Sequence, residues 1–164
     1  MGLTISYTLS SRRRLAEPVV FRMTERTAQF ARKIGCAQVE GPSLGGPEHW
    51  KMWTLPDGAT TGEPVSALKG YSVRVCPGDG CETAWFGLCR YPGVSGWKLT
   101  SWCKTQYAAR HGLDHFLRCH RQLISLLDLW RAASAWTWKC ATRASTGRRE
   151  AWSGCASDSA PTTA

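Results

Sequence analysis

A chain of 164 residues that is 43% hydrophobic, with a formal net charge of +9, is long and apolar enough to bury a real core, which excludes a wholly disordered or fibrous protein. No run approaches the ~18 consecutive apolar residues of a membrane span, and no charged leader followed by an apolar stretch opens the sequence; a cytoplasmic protein without a membrane partner is expected. Lys and Arg number 21 against 12 Asp and Glu, a balance compatible with nucleic acid or another anionic partner, although net charge governs association and solubility rather than a specific activity.

Leu3, Ile5, Tyr7 and Leu9 alternate with Thr4, Ser6 and Thr8, the period of a strand with one apolar face. The Arg12–Arg13–Arg14 run that follows reads as a solvated turn. From Glu17 to Ile34 the apolar positions Val20, Met23, Phe30, Ala31 and Ile34, with Thr27, recur at helical spacing, Pro18 fits the first turn and Gly35 supplies a stop. Residues 41–70 are rich in Gly and Pro and are expected to be poorly ordered loops, with a short strand around Trp50, Met52 and Trp53. Tyr71 to Val75 reads as a strand, Pro77–Gly78–Asp79–Gly80 as a turn and Ala84 to Leu88 as the returning strand of a hairpin.

A further strand starts at Trp97 and runs through Trp102, and a second helix spans Leu113 to Trp130 with Phe116, Leu117, Leu123, Ile124 and Leu127 as its apolar stripe. Leu126, Leu129 and Trp130 broaden that stripe, which favours core packing over a membrane surface. Strand, helix, several strands, helix predicts a two-layer α+β sandwich, a mainly antiparallel sheet with both helices on one face.

The character of the chain changes after Arg131. Residues 132–164 contain no Leu, Ile, Val, Met, Phe or Tyr, and Ala, Ser and Thr supply 19 of them; a segment with so little to bury is expected to be disordered, leaving 1–131 as the single domain. Trp has one codon, TGG, so the frame one nucleotide earlier must encode Asp at position 137 and Glu at 139, each after Leu, Val or Met. That alternative alternates like a strand, and the tail is read as an out-of-frame product of the same DNA, at the cost of a final strand.

Chemistry is sought between Gly78 and His120. Cys81, Cys89, Cys103 and Cys119 with His120 or His115 are soft ligands of the kind tetrahedral zinc takes. There is no CxxC pair, although Cys76 and Cys81 bracket a turn. A thiol enzyme would use Cys103 or Cys89 as nucleophile, His120 as base and Glu82 to orient it. The simpler expectation is that the cysteines, with Cys36, are reduced, buried and apolar in role, so no cofactor is expected and zinc is the alternative. Arg90–Tyr91, Trp97–Lys98, Trp102, Lys104, Gln106 and Tyr107 interleave aromatic and polar or cationic residues, a pattern suited to stacking bases and meeting phosphates, again weighed against burial of the aromatics as core. No P-loop, HExxH or GxSxG motif is present.

Several of these segments carry a resemblance. Met1–Gly2–Leu3–Thr4–Ile5, Pro77–Gly78–Asp79–Gly80–Cys81–Glu82, Phe86–Gly87–Leu88–Cys89–Arg90–Tyr91–Pro92, Cys103–Lys104–Thr105–Gln106–Tyr107 and Phe116–Leu117–Arg118–Cys119–His120 resemble an uncharacterised family of bacterial hypothetical proteins. The resemblance covers most of residues 1–130 and implies a chain that continues after the long helix in an acidic, aromatic stretch, from which this sequence departs. It implies no activity, and the expectation is a binding or regulatory domain, with a zinc or thiol enzyme and a weak nucleic-acid binder as alternatives.

Overall fold

The computed structural model describes residues 3–11, 15–45, 51–54, 60–133 and 136–144, the last nine and those from 45 to 63 by backbone alone. Among the described residues, eight strands and two α-helices follow the order β1 Leu3–Ser11, α1 Glu17–Lys33, β2 Gln38–Gly45, β3 Lys51–Thr54, β4 Thr60–Ser66, β5 Lys69–Cys76, β6 Ala84–Arg90, β7 Lys98–Lys104, a 3₁₀ helix Gln106–His111, α2 Leu113–Ala132 and β8 Trp136–Ala144. Six strands form one sheet in the order β2-β5-β6-β7-β1-β8, every pairing antiparallel, and β3 and β4 form a separate hairpin. Both helices lie on one face, as the alternation of elements predicts. Among the described residues no helix is long and apolar enough to cross a membrane.

The core lies between the helices and that face. Ile5, Tyr7 and Leu9 of β1, Val73 and Val75 of β5 and Ala84, Phe86 and Leu88 of β6 are buried against Val20, Met23, Ala28 and Ala31 of α1 and Leu123, Leu126, Leu127 and Trp130 of α2. Each large side chain so buried contributes about 1.5–3 kcal/mol. Tyr7 stacks on Phe86 with ring centroids 5.2 Å apart and satisfies its hydroxyl by donating to the Trp85 carbonyl at 2.8 Å.

Helix α1 ends in a Schellman turn. Cys36 N–H donates to Ala31 O and Gly35 N–H to Arg32 O, both at 3.1 Å, with Gly35 at φ +78°, a conformation glycine adopts without cost. On α2 the buried stripe is Cys119, Gln122, Leu123, Leu126, Leu127 and Trp130, rotated from the predicted one: Leu117 and Ile124 are exposed. The rotation arises because a small thiol and an amide take core positions. Gln122 can do so because its Nε2 donates to Ile34 O, 2.8 Å away at the end of α1.

Two segments differ from the reading of their composition. The Gly- and Pro-rich stretch holds strands β2 to β4: Gly41–Pro42 falls at a register shift between Glu40 and Ser43, where a bulge accommodates it, and Pro64 lies in a two-stranded hairpin whose outer side needs no donor. Within the segment expected to lack order, residues 136–144 pair with β1 from Ser11↔Trp136 to Leu3↔Ala144. Strand pairing draws on backbone groups that composition does not report, and Trp136, Trp138 and Cys140 alternate with Thr137 and Lys139 at the strand period. Residues 12–14 and 145–164 lie outside the described residues.

Candidate functional site

The loop from Pro77 to Thr83, between β5 and β6, gathers the thiols. Cys76 ends β5, Cys81 lies in the loop, Cys103 is the penultimate residue of β7, Cys119 lies nearly two turns into α2 and Cys36 closes the Schellman turn. Two glycines let the loop approach its neighbours: a Cβ on Gly78 would stand 2.6 Å from Cys119 Sγ, and one on Gly80, at φ +76°, 2.6 Å from the Tyr107 carbonyl oxygen. Three predicted ligands thus lie along this loop: Cys81 within it, Cys103 with its thiol on Glu82 O and Cys119 with its sulfur against Gly78, where His115 and Cys76 also reach. Cys89 does not join them: it lies at the opposite end of β6, buried with Ala67, Tyr91 and Leu99. His120 turns to Thr105, with Nδ1 3.3 Å from its hydroxyl, and to the Phe116 ring.

These thiols are chemically quiet. Cys103 is fully buried and donates to Glu82 O at 3.0 Å, and Cys76 donates to Gly78 O at 3.5 Å. Burial first, then the neighbouring thiols, raises Cys81 to about 12 and Cys36 to about 11, and raises Cys103 further; Cys89 rises to about 12 through burial. All are protonated near neutrality, the opposite of an activated nucleophile. His115 is not a base for them. Its Nδ1 stands 2.8 Å from the Arg118 guanidinium, which can only donate, so Nε2 carries the proton and donates to Asp79 O at 2.9 Å. Cys119 Sγ, 3.5 Å from that Nε2, meets a proton rather than a lone pair. His120 is lowered by burial, but it faces Thr105. Among the described residues no three or more His, Cys, Asp or Glu side chains are arranged to hold a metal ion.

The polar candidates divide between the two ends of the sheet. Glu82 and Lys104 form an ion pair at 3.2 Å beside the thiols, with Gln106 half-buried next to them and Tyr107 exposed under Arg110 at 5.2 Å. At the other end Tyr91 is buried, and Arg90 lies 5.8 Å from the centre of the Trp97 ring, itself only 3% exposed. Tyr91 and Trp97 therefore pack as core, the reading weighed against base stacking. Sequence reading missed the group beside them: Glu17 in the first turn of α1 accepts from both Lys69 and Tyr71, residues more than fifty positions away that no local pattern links.

The sheet face turned away from the helices is open across β1 and β7. Its residues pair in register as Thr4 with Lys104, Ser6 with Trp102, Thr8 with Thr100 and Ser10 with Lys98; on β8, Arg143 stands opposite Thr4, Ala141 opposite Ser6 and Lys139 opposite Thr8. Trp102 is 58% exposed at the centre of this surface, and the hydroxyls of Thr8 and Thr100 are 3.0 Å apart. These three adjacent strands contain no Asp or Glu. Glu82 reaches the edge of the face through its exposed pair with Lys104, and such pairs are worth little and are readily exchanged.

No family model, curated protein or solved structure matches the chain.

Proposed function

We propose that the protein is a binding domain for single-stranded nucleic acid and that the open face of β1, β7 and β8 is its binding surface. The observation that carries this is the exposed Trp102 on three adjacent strands that have Lys and Arg but no carboxylate. A base has a π-face for Trp102, worth about 1–3 kcal/mol when stacked; Lys98 and Lys104 meet phosphates, with release of counterions; the hydroxyls of Thr4, Ser6, Thr8 and Thr100 offer hydrogen bonds to phosphate and sugar oxygens. A flat sheet suits a strand whose bases can splay, and a duplex hides the π-faces that Trp102 needs. Support for a zinc or thiol enzyme is weaker, since the thiols are protonated and His115 is committed on both nitrogens. The resemblance to the uncharacterised bacterial family stays alongside as a proposal that adds no activity.

Fluorescence anisotropy of labelled oligodeoxythymidine against the full chain tests the proposal. Binding is expected to weaken roughly 10³-fold or less between about 50 and 200 mM salt, because fewer phosphates are met than in large duplex binders, and to weaken further in Lys98→Glu and Lys104→Glu. Affinity unchanged by both reversals would remove the face from consideration.

A further inference from the structure

The outer face of the sheet does not end at β7. Val73 and Val75 of β5, and Ala84, Phe86 and Leu88 of β6, fill the core on the helix side, so the alternation of each strand turns Arg74 and Trp85 to the side that carries Trp102. Arg74 stands opposite Trp85 in the register of β5 and β6, and its guanidinium lies over the half-buried indole, 5.0 Å from the ring centre, within the range of a cation–π contact. Arg74 Nη1 also donates to Glu40 Oε2 at 3.0 Å. Strand β6 stays beside β7 on both sides of the indole: Cys89 is opposite Lys98, Trp85 N–H donates to Ser101 Oγ at 3.4 Å and Glu82 N–H to Lys104 O at 2.9 Å. Counted back along β6 from Cys89 and forward along β7 from Lys98 by the same number of residues, Trp85 and Trp102 come to neighbouring positions on adjacent strands.

We propose that Arg74, held over Trp85, is a second base-stacking position of this face, so that its ligand is a strand presenting at least two consecutive unpaired bases, one on Trp102 and the next on the Arg74 guanidinium. The proposal rests on the single-stranded reading of the face. A guanidinium plane stacks a base much as an aromatic ring does. Trp85 beneath it and Glu40 at its edge order this long side chain before the ligand arrives, which lowers the cost of binding. Glu40 also offsets the charge of Arg74, so the residue supplies a plane and no phosphate contact. Trp85, under the guanidinium, is a positioning residue.

Fluorescence anisotropy of the full chain with two labelled oligodeoxythymidines tests this, one intact and one with alternate bases replaced by abasic sites so that no two bases are adjacent. Arg74→Ala, at an exposed site, is expected to weaken binding of the intact strand at least about fivefold, the low end for one stacked base, and to leave binding of the alternating strand unchanged. Arg74→Lys, which keeps the charge and removes the plane, is expected to lose as much. In both variants the salt dependence stays that of the native chain, whereas loss of a phosphate contact would lower its slope by about one. Full affinity in Arg74→Lys, with a loss and a shallower slope in Arg74→Ala, makes Arg74 a phosphate contact and overturns the proposal. So does an equal loss on both strands. Trp102→Ala separates the two readings. If it weakens binding while neither Arg74 variant does, the face stands and the second position is refuted; if it has no effect, the face is not the binding surface and the second position falls with it.

Discussion

The sulfur of Cys119 lies where a methyl group on Gly78 would have to go, at 2.6 Å from the position of that carbon. This contact fixes the loop of residues 77–83 to α2 and makes the glycine a packing requirement, independent of any special backbone angle. Gly78→Ala is therefore expected to destabilise the fold by about 1–3 kcal/mol, the range for overpacking a tight site. Urea denaturation of the two proteins checks it; an unchanged midpoint would mean that the loop can withdraw from the helix at no cost.

The junction between the two helices rests on Gln122, whose Nε2 donates to Ile34 O at 2.8 Å from a site 6% exposed. Gln122→Ala leaves that carbonyl without its donor, and a loss of about 1–3 kcal/mol is expected from the desolvated group. Thermal unfolding reports it. Gln122→Glu should be at least as damaging, because a carboxylate cannot donate to the carbonyl.

Alkaline stability follows from the thiols. Cys36, Cys81 and Cys89 are raised from 9.0 to about 11, 12 and 12, and Cys103 is raised as well. A folded-state value above the unfolded one means that the unfolded chain loses its protons first, so the contribution is complete below about pH 9 and falls away as pH rises toward 12. Unfolding free energy measured from pH 7 to 11 should be flat at first and then decline. Replacing Cys81 by Ser should reduce the decline, and a slope that does not change would show that other groups control it.

How much of this was legible in the sequence differs from element to element. Strand β1 and helix α1 were plain, because Ile5, Tyr7 and Leu9, and Val20, Met23 and Ala31, obey one period without interruption. The stripe of α2 differs from the predicted one because Gln122, a polar residue, takes a core position, and only the partner at Ile34 shows why an amide belongs there. Strand β8 was hidden by composition, since its pairing with β1 is made by backbone. Of the candidate site residues, Cys81, Cys103 and Cys119 lie in or against the loop of residues 77–83, while Cys89, Arg90 and Tyr91 lie at the far end of the sheet. That separation is set by the antiparallel register of β5 and β6, which spacing alone does not contain. Trp102 and Trp97 look equivalent in the sequence; one faces solvent and the other Leu15, to whose carbonyl its indole donates at 3.0 Å.

The edge strand provides a separate test of the binding face. In the alternative reading frame positions 137 and 139 become Asp and Glu, opposite Ser10 and Thr8 in the β1 register. A protein carrying that strand keeps the pairing but replaces the cation at 139 with a carboxylate. Its affinity for oligodeoxythymidine is expected to be lower, and its salt dependence shallower by about one or two phosphate contacts. Equal affinity and equal slope would place β8 outside the surface.

The most direct measurement is a map of amide chemical shifts in the labelled full chain as oligodeoxythymidine is added. The account expects the largest changes at Thr4, Ser6, Thr8, Thr100, Trp102 and Lys104, with the Trp102 indole signal moving most, and much smaller changes when a duplex is added at the same concentration. Changes confined to the exposed basic side of α2 and the preceding 3₁₀ helix, at Arg110, Arg118 and Arg121, or a Trp102 signal that does not move at saturation, would contradict it.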